Sequence, residues 1–599
     1  MEDNLSLFLH VVSGYDPVVI PGTKKFTFIS KKTGIPQAYL WSGKGQDVQV
    51  LGDFEERVMS VYHSPSGKQT IIGMDYKGNE KQQFYALNEV GTSKAIVLSP
   101  EHFHDFGGWS SDESKIMYAS NRRNSGFFDI YVMNLATKEE KRIFEYDGKC
   151  VPICWMNGND NQIVISIQET NIFSSYWIID LESGVRAKIG QEETSARYQS
   201  PVFSKEGKNG FVLSDVGLDK LAVHSFSVKN PGKLECLLAD EAWDIEEISL
   251  SAEQDKLIVN VNAGGTSILK SFNLRTNEVS CLENVPRGVI DSISWRDEHH
   301  LLFAVKSPVM PGDIWSYNIQ EQKAERLTHF GVYEEIEELW TEPEVCKFKS
   351  FDGLVVPYFY YSRELHPKAT VIYVHGGPES QIRAEFNPVI QYLASKGYAV
   401  VAPNVRGSSG YGRNYIQLDD GRKRMDAVAD LAGLVEALVQ EKSIDRNKVG
   451  IMGRSYGGFM VLAALTHYPE IWAAGVDIVG ISHFKTFLEN TGPWRRKLRE
   501  YEYGILGEDD DFFEEIAPFN HLERIQSPLL VFHGKNDTRV PVSEAEQLTE
   551  RMLEMEKEVE LVIFENEGHQ TEKIENHISM NARIVEFFEE TLTHARLTL

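Results

Sequence analysis

Apolar and polar positions alternate in short runs through the first half of the chain, and the runs recur. Seven aromatic-rich segments align: AYLWSG from 38, FYALNE from 84, IYVMNL from 130, YWIIDL from 176, VHSFSV from 223, LKSFNL from 269 and IWSYNI from 314. The steps between them are 46, 46, 46, 47, 46 and 45 residues. A polar turn marches in near phase, as YHSPSGK at 62–68, WSSDESK at 109–115, VFSKEGK at 202–208 and LSAEQDK at 250–256. One unit of this length, holding several short strands, cannot bury both its faces alone, whereas units stacked in a ring can. The period therefore predicts a seven-bladed β-propeller over residues 21–340, after a short lead-in of residues 1–20.

From Thr341 the pattern changes class. VCKFKSFDGLVVPYFYY reads as two strands joined at Asp352–Gly353, a hairpin turn signal. Apolar runs then alternate with helical periods: TVIYVHG at 370–376, YAVVAPN at 398–404, KVGIMG at 448–453, AAGVDIVG at 473–480, PLLVFHG at 528–534 and VELVIFE at 559–565. The stretch MDAVADLAGLVEALVQE at 425–441 is one of the helices between them. Such alternation predicts a mostly parallel sheet covered on both faces across residues 341–599. In these sheets function collects at the C-terminal ends of the strands.

The stretch IMGRSYGGFM at 451–460 lies at such an end. KVGIM is the strand, GRSYGG its exit turn, and the following apolar run a helix; the glycines allow a sharp turn that projects Ser455 alone. A serine hydroxyl is a poor nucleophile, so a base must take its proton and a carboxylate must hold that base. HGKNDTRVP at 533–541 offers Asp537 and NEGHQTE at 566–572 offers His569, each after a strand. The order Ser455, Asp537, His569 is that of α/β-hydrolases. Taken singly, Asp537 reads equally as a helix cap and His569 as a surface imidazole. An oxyanion needs N–H donors, expected from the backbone of Tyr456 and, within HGGP at 375–378, of Gly377. The fold class expected is multidomain β + α/β: an N-terminal seven-bladed β-propeller and a C-terminal α/β-hydrolase domain.

Composition narrows the partners. With 88 acidic against 61 basic residues the net charge is −27, which argues against nucleic acid. The short basic clusters RKR at 422–424 and RRKLR at 495–499 read as solvated surface. Asp244, Glu246 and Glu247 read as a solvated turn before a strand, with recognition of a substrate ammonium as the alternative. Five cysteines, Cys150, Cys154, Cys236, Cys281 and Cys346, fit a reducing compartment better than a disulfide framework, and their spacing does not suit zinc. The N-terminus lacks a signal-peptide pattern, and no run approaches the ~20 apolar residues that span a bilayer. The expectation is a cytoplasmic protein with no membrane partner, metal or cofactor.

Together GRSYGG, HGKNDTRVP, NEGH, HGGP and VRGSSGYGRNY at 405–415 resemble the prolyl oligopeptidase family of serine peptidases, most nearly its acylaminoacyl-peptidase branch. The resemblance implies the same two-domain architecture and the triad named above. It also implies Arg539 near the substrate, and a homo-oligomer as one way to restrict access. Relatives that bind the oxyanion through a tyrosine hydroxyl carry it where His375 stands, which leaves main-chain donors here. Gln570 replaces the glycine that usually follows the histidine. Many relatives pack an N-terminal helix on the hydrolase domain; the short lead-in puts that helix, and with it domain mobility, in question.

The expected activity is hydrolysis of short peptides, releasing N-acylated amino acids from blocked termini through an acyl-enzyme. Ile481, Phe484 and Trp494, after a strand exit, are candidates for the specificity pocket, with plain core packing as the alternative. The rival readings are a dipeptidyl aminopeptidase or general oligopeptidase, with Glu246 and Glu247 clamping a free amine, a carboxylesterase, and a silent binding scaffold.

Overall fold

Each repeat of the first half folds as a four-stranded antiparallel sheet. The computed structural model describes residues 4–43, 47–88, 91–191, 196–330 and 333–593, so residues 1–3 of the expected lead-in and 594–599 of the expected C-terminal domain lie outside it. Seven such sheets occur among the described residues, at 14–50, 58–97, 104–144, 149–188, 198–238, 245–281 and 289–326. The recurring aromatic segments are their third strands, from Gln37–Trp41 to Met310–Asn318, and the polar turns join first to second strands. Middle strands are covered on both faces by neighbouring blades, so all five residues of Phe26–Ser30 are buried. Outer strands such as Val48–Val50 lie largely open. Between blades three and four, Met117, Ala119, Phe128 and Ile130 pack on Ile163 and Ile165.

Every blade is made of four consecutive strands, so among the described residues no strand is shared between first and last. Packing closes the ring instead: Phe26, Phe28 and Trp41 of the first blade meet Leu302, Ala304 and Ile314 of the last. Gly14–Val19 is the opening strand of the first blade, although the sequence pattern assigns it to the lead-in. A register shift between Tyr15 and Val18, with Asp16 at φ 50° and Pro17 beside it, breaks the alternation that would have marked it.

The second half forms one eight-stranded sheet. Its strands are β1 (Glu344–Lys349), β2 (Val355–Tyr361), β3 (Thr370–Val374), β4 (Ala399–Pro403), β5 (Val449–Arg454), β6 (Ala474–Ile478), β7 (Leu529–Gly534) and β8 (Val559–Phe564). They lie in the order β1-β2-β4-β3-β5-β6-β7-β8, with the first two pairings antiparallel and the rest parallel. Apolar clusters cover both faces, one through Leu431, Leu434 and Phe459, the other through Tyr392, Val400 and Ile584.

The lead-in is not idle. Residues Leu5–Leu9 form a short helix, α1, that buries Leu5, Phe8 and Leu9. Phe8 meets Tyr392 edge to face at 5.6 Å, so even this brief segment docks on the hydrolase domain. From α1 on the hydrolase domain, the described residues build the propeller and then return to the hydrolase sheet. All five cysteines are free thiols.

Candidate active site

Ser455 sits between β5 and the helix α2 (Tyr456–His467), at φ 59° and ψ −119°, a conformation that a residue with a Cβ holds only under constraint. The constraint is visible. The Ser455 N–H donates to the Ile478 carbonyl at 2.8 Å, tying the turn to the exit of β6. A Cβ on Gly453 would lie 2.3 Å from the Gly457 carbonyl oxygen, and one on Gly457 would lie 2.4 Å from that of Val374. Glycine is needed at both because backbone meets backbone there.

The exits of β7 and β8 supply the other two residues. His569 Nδ1 bonds Asp537 Oδ2 at 2.7 Å, and both side chains are buried. Asp537 Oδ1 accepts the N–H groups of Arg539 and Val540 at 2.8 and 3.0 Å. Burial pushes the Asp537 carboxyl up, but the charge and hydrogen bond of His569 outweigh it and hold it below the usual carboxylate range. Arg454, adjacent to the serine, donates to the His569 carbonyl at 2.5 Å and so links the serine turn to the histidine loop. Among the described residues neither His569 Nε2 nor Ser455 Oγ makes a hydrogen bond. Gln570 lies beside Arg454 and Thr571 in a cavity on the flank of this loop.

Gly376 and Gly377 leave β3 against the serine: a Cβ on Gly376 would come within 3.4 Å of Ser455 Cβ. The N–H groups of Gly377 and Tyr456 donate to nothing among the described residues. His375 is buried, with Nε2 2.8 Å from Ser408 Oγ and Nδ1 2.7 Å from the Gly376 carbonyl, so it braces this loop. Tyr456 is anchored through its hydroxyl, 3.1 Å from Asp419 Oδ2 and 3.0 Å from Arg424 Nη1. Arg424 is fully enclosed and also pairs with Asp419 and Glu502. Asp419, Asp420 and Glu502 approach closely enough to share a cation, but the Arg424 guanidinium already occupies two of the three. The cluster RKR therefore divides: Arg422 is exposed and Arg424 is core.

The propeller reaches into this site. The loop between the second and third strands of blade two brings Gly78 against Gly568, where a Cβ on Gly568 would lie 2.0 Å from the Gly78 carbonyl oxygen. Two residues on, Glu80 receives Arg539 Nη2 at 2.6 Å, Arg539 Nε at 2.9 Å and the Thr538 hydroxyl at 3.1 Å. Burial raises the Glu80 carboxyl, but the Arg539 hydrogen bonds and charge prevail and hold it below its ordinary value. Sequence reasoning missed Glu80 because a polar hairpin turn looks the same whether it faces water or another domain. Between the domains, blades four and five and the Gly377 loop enclose a cavity of about 520 Å³, lined also by Glu379 and Arg499.

Several expected residues stand elsewhere. Ile481 and Phe484 belong to the hydrolase core at 2% and 1% exposure, Phe484 lying 4.6 Å from the rings of both Phe459 and Tyr503. Trp494 packs on Phe103 and Phe128 of the propeller at 5.8 and 5.7 Å, and so serves the domain interface. Asp244, Glu246 and Glu247 are not a solvated turn. Asp244 is buried against Arg197, Glu246 binds Arg383 at 2.9 Å, and Glu247 accepts the Ile293 N–H at 2.6 Å. RRKLR is no open surface either, since Arg499 Nη1 lies 3.3 Å from the Gly377 carbonyl.

A strained serine turn, a carboxylate-held imidazole and two unused N–H groups meet at one sheet edge. Residues 384–595 match the family model described as the prolyl oligopeptidase family. These residues belong to the prolyl oligopeptidase family. Among curated proteins, the chain is 33% identical over 231 residues to dipeptidyl aminopeptidase BIII of Pseudoxanthomonas mexicana, covering 38% of this chain and 34% of that one. It is 28% identical over 207 residues to the acylamino-acid-releasing enzyme of Arabidopsis thaliana, covering 33% of this chain and 27% of that one. The chain thus spans about a third of the length of these curated relatives. Among solved structures, a puromycin-hydrolyzing peptidase of Mycobacterium tuberculosis superimposes with a TM-score of 0.88 at 17% identity, over 99% of this chain and 96% of that one. Its likeness to this chain is one of fold, propeller included.

Proposed function

We propose that the chain is a serine peptidase acting on short peptides, with a preference for blocked amino termini from which it releases N-acylated amino acids. Ser455 Oγ attacks the scissile carbonyl while His569 Nε2 takes its proton. Asp537 holds Nδ1–H, fixing the tautomer and stabilising the imidazolium. The carbonyl oxygen, now an anion, receives the N–H groups of Gly377 and Tyr456. His569 then returns the proton to the departing amine, and water repeats the sequence on the acyl-enzyme. The cavity of about 520 Å³ beside the Gly377 loop is of a size that suits a short peptide.

The blocked-terminus preference rests on one observation: the propeller carboxylate that reaches the triad loops, Glu80, is already neutralised by Arg539. Recognition of an ammonium needs a free carboxylate. Glu246 and Glu247 do not supply one, being bound to Arg383 and Ile293. A second reading, dipeptidyl aminopeptidase, draws on the similarity to the Pseudoxanthomonas enzyme; it requires Glu80 to exchange Arg539 for the substrate amine. Comparing kcat/KM for acetyl-alanyl and free alanyl-alanyl p-nitroanilides separates the two. The first reading expects the acetylated substrate to be favoured about tenfold or more, and a preference for the free amine overturns it.

A further inference from the structure

Helix α3 (Pro493–Tyr503) presents Arg495 and Arg499 four residues apart on one face. Arg499 is engaged, with Nη1 3.3 Å from the Gly377 carbonyl and 3.5 Å from Glu379. Arg495 is not. Among the described residues its guanidinium forms no ion pair and no hydrogen bond, and its Nε is enclosed without a partner. The charged groups around it are Arg499, Arg539 and Glu80, and Glu80 is claimed by Arg539. Burial first, and then the charges of Arg499 and Arg539, push the Arg495 guanidinium down to about 9. The indole of Trp494 lies 5.2 Å away, and the Glu80 carboxylate offsets part of the repulsion.

A half-buried guanidinium whose Nε is enclosed and unpartnered, and whose neighbouring carboxylate Glu80 is already bonded to Arg539, is costly, and a like charge four residues away adds to the cost. Yet the residue feels the charges of both Arg499, which touches the Gly377 carbonyl, and Arg539, two residues past Asp537. A planar fork of N–H donors is the group that receives a carboxylate in two parallel hydrogen bonds. We propose that Arg495 is a specificity-determining residue that binds a carboxylate of the substrate. The inference rests on the peptidase reading above. The carboxylate has two possible sources, an acidic side chain beside the scissile bond or the peptide's own carboxy terminus.

Matched peptides test it: Glu against Gln before the scissile bond, and a free against an amidated carboxy terminus. Each is made acetylated and with a free amine, so that the acid-to-amide ratio is read on whichever form is cleaved, even if the blocked-terminus preference fails. The expected result is a ratio of about ten or more in kcat/KM for at least one pair. It should collapse towards one in Arg495→Gln and be partly kept in Arg495→Lys. Removing a half-buried charge with an unpartnered Nε should also leave the thermal midpoint of Arg495→Gln no lower than that of the parent. Ratios near one for both pairs in the parent enzyme, or a ratio that survives Arg495→Gln, overturn the proposal. So does an equal loss on acid and amide accompanied by a fall in the thermal midpoint, which marks a structural role.

Discussion

In the proposed mechanism Asp537 works through His569, to which it is bonded at 2.7 Å, and its environment sets what its removal should cost. Its folded pKa is depressed, so the stability it contributes is present above the unfolded carboxylate range and is lost only as pH falls through its lower folded value. The His569–Asp537 bond is therefore intact at neutral pH. Asp537→Asn keeps the shape but offers Nδ1 the wrong partner, and should lower kcat by about 10³–10⁴-fold while leaving the circular dichroism unchanged; a loss under tenfold counts against the assignment. These residues were legible in the sequence because each lies at a strand exit, in an order that has chemical meaning. Arg424 and Glu80 were not. A basic triplet such as RKR carries no mark that its third member is enclosed, and Glu80 acquires its role only when another domain arrives.

Among the elements, β6 holds a carboxylate with no catalytic task. Asp477 is fully buried, and its Oδ1 has no partner among the described residues. It fits because Gly458 and Gly480 leave room, a Cβ on either falling 2.2 or 2.1 Å from that oxygen. Burial pushes its carboxyl up to about 7. The folded state then binds a proton that the unfolded chain has released, so stability present below the unfolded value declines as pH rises towards about 7. The slope approaches about 1.4 kcal/mol per pH unit in that window. Asp477→Asn should flatten this part of the profile and be more stable than the parent at pH near 8, as read by urea unfolding; a variant less stable there refutes the assignment. The strands themselves varied in legibility. Third strands of the blades announced themselves by aromatic content, because neighbouring blades cover both their faces. The first strand of blade one was hidden by its bulge and proline, and Ile481 and Phe484, which look alike as core or pocket in sequence, turned out to be core.

For the molecule as a whole, the two domains are held by ion pairs around the site. Glu572, just past the histidine loop, bonds Lys31 at 2.5 Å and Arg57 at 3.1 Å, and the Ile574 N–H donates to the Gly34 carbonyl at 2.8 Å. Glu572→Gln should speed amide hydrogen exchange in residues 566–574 and in the Gly78 loop, and raising the salt concentration should act in the same direction on the parent protein. Unchanged exchange in both segments would show that these pairs do not hold the domains together. The repeat period made the propeller readable and the strand–helix alternation made the hydrolase sheet readable; how the two meet was not, because docking depends on turns whose sequences say only that they are polar. The claim on which everything else depends is that Ser455 is the nucleophile of acyl transfer. Labelling with an organophosphorus fluoride, followed by peptide mass spectrometry, tests it most directly. The account predicts one adduct per chain, on Ser455, with activity lost in proportion to labelling and no adduct formed in His569→Ala. Adducts on another serine, or full peptide hydrolysis by protein completely labelled at Ser455, would contradict it.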